Sequence, residues 1–313
     1  MKRVLIISLE YPPQVGGIAT YVHSLARALD SKQTVVLTSH MRGEKQWDEQ
    51  CGYKVIRKGL LYPKFLWPRW IRLFWHVLVL IRREKIEVLL IHHALPVGYV
   101  GWIIKKLFKL PYLIFSHGTD VEVAFARPWK AKMMRVVCNS AQQVITNSES
   151  LKKRLLRVLP ELSEKTIVVY PSPDKDFFIP ASFDVQEKLR SQYALEGKQI
   201  ILSVGRLDEG KGFPHLIRMM PEILKYAPYL VWIIIGDGPK REEIFSSIQK
   251  NNLQNVVRFI GEIPHEHLKA FYYIADLFVL LTHPDEGREE GLGMVFLEAA
   301  ACGLPAVAVL KRQ

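Results

Sequence analysis

Short runs of aliphatic and β-branched residues alternate along the chain with stretches whose apolar positions recur every three or four residues. The first pattern predicts strands over Val4–Ser8, Thr34–Thr38, Lys54–Arg57, Val88–His92, Tyr112–Ser116, Gln143–Thr146 and Thr166–Tyr170. The second predicts helices between most of them, among them Ile18–Leu29, Val97–Phe108 and Ser148–Leu159. A polar passage marked by proline, from Pro171-Ser172-Pro173-Asp174 to Pro180, reads as a linker. The alternation then restarts. Strands are predicted at Ile200–Val204, Val231–Ile235, Val256–Ile260, Leu277–Leu281 and Ala306–Val309, with helices near Phe213–Lys225, Arg241–Gln249, Glu266–Ala275 and Met294–Ala301. Several strands are apolar almost throughout, which suits a sheet covered on both faces. Two successive β/α series predict an α/β protein of two doubly wound domains, residues 1–172 and 173–313. Ligands of such sheets bind at the carboxyl ends of the strands, and in a tandem pair those ends can face each other across a cleft.

Composition narrows the function classes. Of 313 residues, 49% are hydrophobic and 24% charged, which excludes a disordered or fibrous chain. Every run of 18 residues is broken by charge, histidine or a turn signal, so no spanning helix is expected. The first residues are too strand-like for a signal peptide. Cys51, Cys138 and Cys302 are far apart and form neither a metal spacing nor a disulfide framework, so a cytoplasmic location is expected. The net charge of +12 is unevenly spread: residues 1–170 carry 27 basic against 12 acidic side chains, and residues 171–313 carry 16 against 19. The first half therefore suits an anionic partner such as a membrane surface, a phosphorylated acceptor or nucleic acid, although plain solubilising charge has the same signature.

Candidate chemistry clusters just after the strands. Gly16 and Gly17 follow the first strand and open a helix, where bare backbone and free N–H groups suit a phosphate or a sugar hydroxyl; a tight turn alone would also use them. His117 follows the strand Tyr112–Ser116, at the cleft edge, where a capped or hydrogen-bonded structural histidine is an equal reading. His92, His93, His265 and His267 read as structural, because nothing supplies a third metal ligand. Gly205, Arg206, Lys211 and Gly212 lie between a strand and a helix, and two fixed cations there can clamp a diphosphate and neutralise it as a leaving group. Gly236-Asp237-Gly238-Pro239 reads mainly as turn chemistry. In Glu290-Gly291-Leu292-Gly293-Met294-Val295-Phe296-Leu297-Glu298, two separated carboxylates would meet different parts of one ligand, and a carboxylate accepts from both hydroxyls of a diol. A bland arrangement would leave both acids solvated.

The order PP..GG, strand-HG, GRL...KG, GDGP, F.GE and E-x7-E followed by ACG.P resembles the family-4 retaining glycosyltransferases of the GT-B fold, over Leu5 to Val309. The EGLG form of the last block is similar to bacterial mannosyltransferases that modify phosphoinositide lipids. The resemblance implies two Rossmann-like domains facing across a cleft, the first on the acceptor side and the second binding the donor. It implies Arg206 and Lys211 on the donor diphosphate, Glu290 on the transferred sugar, Glu298 on the ribose hydroxyls, and Gly291, Leu292, Gly293 and Met294 on sugar and phosphate. Gly261 to Ile263 would pass near the nucleobase, Gly16 and Gly17 near the diphosphate and acceptor, and His117 beside the sugar. Transfer would be retaining, with the leaving phosphate taking the acceptor proton, and would need no bound metal and no cofactor beyond the nucleotide diphosphate sugar. The family pattern continues past Val309 with a further strand and helices, so the second domain is expected to be incomplete at its C-terminal end. Pro171-Ser172-Pro173-Asp174 also departs from the Pro-Asn-Gly usual at that point.

Three tryptophans among basic residues in Leu61–Trp75 suit an anionic bilayer surface, and equally a core helix with a basic outer face. The leading expectation is a hexosyltransferase, for mannose or glucose, acting on a cell-envelope glycan or lipid-linked acceptor, cytoplasmic and peripheral on the inner membrane face. A nucleotide-sugar epimerase and a non-catalytic sugar-nucleotide binder are the alternatives. No nucleic-acid partner is expected, because basic charge without a reading motif gives only nonspecific binding.

Overall fold

The computed structural model describes residues 2–14, 16–63, 65–118, 121, 127–208, 210–282 and 293–309. The chain forms two compact units, Met1–Ser172 and Pro173–Gln313.

In the first unit, β1 (Val4–Ile7), β2 (Thr34–Thr38), β3 (Lys54–Arg57), β4 (Val88–His92), β5 (Tyr112–Ser116), β6 (Gln143–Thr146) and β7 (Thr166–Val168) form a parallel sheet in the order β3-β2-β1-β4-β5-β6-β7. Among the described residues its α-helices are α1 (Gly17–Ala28), α2 (Glu44–Glu49), α3 (Ile71–Arg83), α4 (Gly98–Phe108), α5 (Pro128–Ser140) and α6 (Glu149–Val158). The unbroken apolar character of β1 has a simple cause. Side chains alternate across a strand, and here both faces are covered. Val4 and Ile6 pack in one layer with Tyr21, Val22 and Ala26 of α1, while Leu5 and Ile7 pack in the other with Leu73 and Val77 of α3 and Ile104 of α4. In register, Ile7 lies opposite Leu37 on one side and Ile91 on the other.

The second unit holds α7 (Phe183–Gln192), β8 (Gln199–Val204), α8 (Phe213–Tyr226), β9 (Leu230–Ile235), α9 (Arg241–Lys250), β10 (Val257–Gly261), α10 (His265–Ile274), β11 (Leu277–Leu280), α11 (Met294–Ala301) and β12 (Ala306–Ala308). Its strands are parallel in the order β10-β9-β8-β11-β12. Trp232 is fully buried at the centre of this core, and its indole N–H donates to Ser203 Oγ at 2.9 Å. The passage read as a linker is partly built into the unit: a turn of 3-10 helix at Lys175–Phe178 buries Phe177 against His265 and Tyr272.

Each sheet reverses its strand order once, between β1 and β4 and between β8 and β11. The crevice at such a reversal, beyond the carboxyl ends of the strands, is where doubly wound sheets bind ligands. Among the described residues, no helix is long and apolar enough to cross a membrane.

Candidate active site

In the first unit, the segment between β1 and α1 is held in place by local and distant groups. Ser8 Oγ donates to the carbonyl of Glu10 at 2.6 Å and accepts from its N–H at 3.2 Å. The buried Arg57 of β3 donates to the Pro12 carbonyl and forms a two-pronged pair with Asp48, each bond 2.8 Å. Gly16 precedes the helix in an extended conformation, and its carbonyl accepts from Thr20 N–H at 3.0 Å. A Cβ placed on Gly16 would meet only Glu10 Oε2, at 4.0 Å. Neither packing nor backbone angle demands glycine here. What glycine leaves at this position is uncovered backbone beside exposed Gly17 at the start of α1.

His117 follows β5 and is half-buried. Its ring lies edge to edge with that of His92, the last residue of β4, at 5.2 Å between centroids and 15° between planes, with Nε2 lying 3.0 Å from His92 Nδ1. Tyr21 of α1 stands edge-on to both rings, at 5.4 Å from His117 and 6.0 Å from His92. His92 stacks on Phe115 at 4.4 Å. Complete burial, with His117 and His93 alongside, holds His92 well below the ordinary histidine range, so it is neutral. His93 has a left-handed backbone (φ 88°), uncommon for a residue with a side chain and frequent at functional sites.

In the second unit, Gly205, Arg206 and Lys211 lie on the loop from β8 to α8. The loop is pressed into place from two sides. Gly236 follows β9 at a positive φ of 134°, and a Cβ there would come within 2.0 Å of the Gly205 carbonyl oxygen. Gly212 caps α8 at φ 74°, and a Cβ there would come within 2.0 Å of the Leu281 carbonyl oxygen. Thus the β8 loop is packed against the ends of both neighbouring strands, and Gly236 and Gly238 serve that close approach, a packing role where the sequence suggested turn chemistry. Arg206 extends into solvent, its side chain 70% exposed and 3.8 Å from Asp208. Lys211 is half-buried.

Gly261 closes β10 at φ 83° and accepts from Gly236 N–H at 2.8 Å. Ile263 lines a cavity of about 440 Å³ with Ile260, Val185, Leu189 and Phe271. Gly293 takes the left-handed conformation that starts α11, and half-buried Met294 is the first helical residue. Four residues on, Glu298 is only 2% exposed. Its carboxylate accepts from His265 Nε2 and from the Tyr272 hydroxyl, each at 2.9 Å. The bland expectation of a solvated Glu298 is therefore overturned, and His265, set aside in the sequence as structural, is its partner. Burial alone would push His265 down, but the hydrogen bond and charge of Glu298, with Asp174 and Glu266 nearby, raise it above the usual histidine value. Burial and the same carboxylate push the Tyr272 hydroxyl far up, so it stays a donor.

Glu290, Gly291 and Leu292 lie outside the described residues. The other singled-out residues fall in two groups: Gly16, Gly17 and His117 at the carboxyl edge of the first sheet, and Gly205, Arg206, Lys211, Gly261, Ile263, Gly293, Met294 and Glu298 on the loops and helix that follow strands of the second. Arg57 and Tyr272 were missed as supporting residues, and His92, read as structural, is the partner of His117. A signal for donors was present, since a glutamate carried into the core by the apolar helix Met294–Ala301 needs hydrogen-bond partners.

Comparison with known proteins decides the family. The sequence pattern described as Glycosyltransferase Family 4 matches residues 15–177, and that described as Glycosyl transferases group 1 matches residues 185–311. The chain belongs to glycosyltransferase family 4. This family-4 chain is 27% identical over 312 residues to a GDP-mannose-dependent alpha-(1-6)-phosphatidylinositol monomannoside mannosyltransferase of Mycolicibacterium smegmatis, covering 97% of this chain and 80% of that protein. It is 24% identical over 305 residues to the GPI3 subunit of the phosphatidylinositol N-acetylglucosaminyltransferase of Saccharomyces cerevisiae, covering 93% of this chain and 64% of that protein. The crystal structure of Anabaena HepE with UDP-glucose superposes with a TM-score of 0.79 at 21% identity, covering 98% of this chain and 80% of HepE. The GT-B architecture follows from that likeness, and the glycosyltransferase activity from the family; neither match leads to an epimerase.

Proposed function

We propose that this glycosyltransferase moves a hexose, mannose in the leading reading, from a nucleotide diphosphate sugar to a lipid-linked acceptor of the phosphoinositide type. The observation that carries the donor reading is the loop from Gly205 to Gly212, which sets two cations at the strand-order reversal of the second sheet and is pinned there by Gly212 against Leu281. A leaving diphosphate needs its growing charge neutralised, and Arg206 and Lys211 supply that from a fixed loop. The N–H groups at the start of α11, beginning at Met294, supply further phosphate contacts. Glu298 keeps acceptor capacity for a ribose diol, because each carboxylate oxygen can accept a second hydrogen bond beside those from His265 and Tyr272. Glu290 takes the transferred sugar, Gly261 to Ile263 pass the nucleobase, and Gly291 and Leu292 join the sugar contacts.

On the acceptor side, His117 lies beside the sugar as it leaves, and Gly16 and Gly17 let acceptor and diphosphate approach the backbone. The reaction retains the anomeric configuration: the leaving phosphate takes the acceptor proton as the new glycosidic bond forms on the same face, with neither metal nor further cofactor. The mannose and phosphoinositide assignments are supported by the mycobacterial relative, whose name specifies both. The acceptor reading also draws on the surface of the first unit. Leu73, Val77 and Leu80 bury one face of α3, while Trp75 and Val79 stand outward between Arg72 and Arg82. In the preceding loop, Phe65 is 84% and Trp67 83% exposed. Exposed rings beside arginines suit an anionic membrane, here the cytoplasmic leaflet, where the lipid acceptor lies.

The test is a transfer assay with GDP-mannose and UDP-glucose on phosphatidylinositol-containing vesicles, with the anomeric configuration of the product read by NMR. An α-mannosyl lipid is the expected product. Donor hydrolysis without lipid glycosylation, or a β-linked product, overturns the reading.

A further inference from the structure

The ring of His92 is enclosed on the first unit by Phe115, His117 and Tyr21, and its residue exposure is 0%. Its Nδ1 lies 3.0 Å from His117 Nε2. Among the described residues, nothing hydrogen-bonds to its other nitrogen, Nε2. A hydrogen bond between two imidazole nitrogens needs a proton on one and a lone pair on the other. Were the proton of His92 on Nε2, the protein would bury an N–H without an acceptor. With the proton on Nδ1, only a lone pair goes unused, which folded proteins tolerate more readily than an orphaned N–H. Among the described residues, the titratable groups facing the ring are His117, His93 and Tyr21, and none of these offers a negative charge that would hold a second proton on it.

We infer that His92 donates from Nδ1 to Nε2 of His117, fixing the proton of His117 on its own Nδ1 and making His92 a positioning residue for glycosyl transfer. The nearly coplanar hydrogen bond aligns the ring of His117 with that of His92 and fixes its tautomer. His117 then works as an N–H donor from Nδ1, the polarity needed to meet a sugar hydroxyl or a diphosphate oxygen as charge develops on it. The catalytic part of this inference rests on the placement of His117 beside the sugar; the tautomer does not.

The test uses the full chain labelled with 15N-histidine and long-range proton–nitrogen correlation spectra. His117 is assigned as the ring whose signals vanish in His117→Gln. In the wild type its Nδ1 is expected at the shift of a protonated nitrogen and its Nε2 at that of an unprotonated one. His92→Phe keeps a ring of similar shape but removes the donor. It should move the His117 proton toward Nε2 and lower kcat roughly ten- to a hundredfold, the usual cost of removing the partner that orients a functional histidine, with the KM for donor little changed. His92→Asn returns an amide N–H near the position of Nδ1 and should restore the spectrum and part of kcat. A protonated Nε2 on His117 in the wild type overturns the inference, and that spectrum decides the matter even if His92→Phe does not fold. A His117 spectrum indifferent to His92→Phe overturns it as well. Wild-type turnover in His117→Gln, by contrast, removes the placement of His117 beside the sugar, and the catalytic part with it, whatever the tautomer.

Discussion

Nε2 of His265 donates to Oε1 of Glu298 at 2.9 Å, tying the first residue of α10 to a carboxylate one turn into α11. The second oxygen of Glu298 receives the Tyr272 hydroxyl. A buried carboxylate is tolerated only when donors surround it, and these two supply that. The arrangement fixes the orientation of Glu298, and if this carboxylate grips the ribose diol as proposed, that lowers the ordering cost of binding.

A pH dependence of stability follows from this pair. His265 titrates above its ordinary value in the folded protein. Its contribution is therefore fully present below the unfolded value of about 6.5 and is lost as pH rises through the raised folded value. Thermal unfolding of the wild type and His265→Asn, compared from about pH 5 to about pH 9, should show the largest gap at the acidic end and a narrowing gap as pH rises. A gap that widens with pH would contradict the ion pair.

Substituting the loop cations should separate chemistry from folding. Arg206 extends from the surface, and Lys211 sits on a loop that Gly212 and Gly236 pack against the neighbouring strand ends. Arg206→Ala and Lys211→Ala should each lower kcat/KM for transfer by about a hundred- to a thousandfold, as expected when a fixed group that stabilises developing charge is lost. Their melting temperatures should stay near wild type while the thermal shift produced by donor shrinks. Wild-type transfer in both variants would remove the diphosphate role.

Central strands such as β1 and β9 were legible because burial on both faces forces nearly every position to be apolar, and such a run is hard to mistake once turn residues bound it. α7 was less legible because it has no fully buried residue, and the single pair Val185 and Leu189 is too short a pattern to read. The loop cations and Gly212 stood out because they are local in sequence. The pairs His92 with His117 and His265 with Glu298 did not. Each joins elements 25 or more positions apart, and only the strand and helix neighbours, which the sequence does not state, bring them together. The solvated alternative for Glu298 failed on a point the sequence did contain, since valine, phenylalanine, leucine and alanine surround it in α11.

The outward face of α3 and the loop before it predict surface binding with a charge requirement. Rings favour the interface, and each arginine near an anionic surface adds about 1 kcal/mol. The protein should co-sediment with vesicles containing phosphatidylserine or phosphatidylinositol and not with neutral vesicles, and added salt should release it. Trp67→Ala combined with Trp75→Ala should weaken binding about tenfold or more while leaving stability nearly unchanged, since both side chains are exposed. Equal binding to neutral and anionic vesicles would exclude the electrostatic part, and full binding by the double variant would exclude this face.

Two glycines make the contrast between folding and function measurable. At Gly212, a methyl group would stand 2.0 Å from the Leu281 carbonyl oxygen on a backbone at φ 74°. Gly212→Ala must shift the β8 loop or the end of β11, and a destabilisation of roughly 2 kcal/mol or more is expected in denaturant unfolding. At Gly16 the backbone is extended and the same methyl group finds nothing nearer than Glu10 Oε2 at 4.0 Å. Gly16→Ala should therefore unfold like the wild type, within about 0.5 kcal/mol. If the bare backbone exists to admit the diphosphate and acceptor, the added methyl stands where they must approach. A displacement near 1 Å can cost about a hundredfold in rate, so transfer should fall by that order while stability holds. Normal transfer in Gly16→Ala would mean that the glycine answers only to the turn, and the acceptor-side role of Gly16 and Gly17 would have to be abandoned.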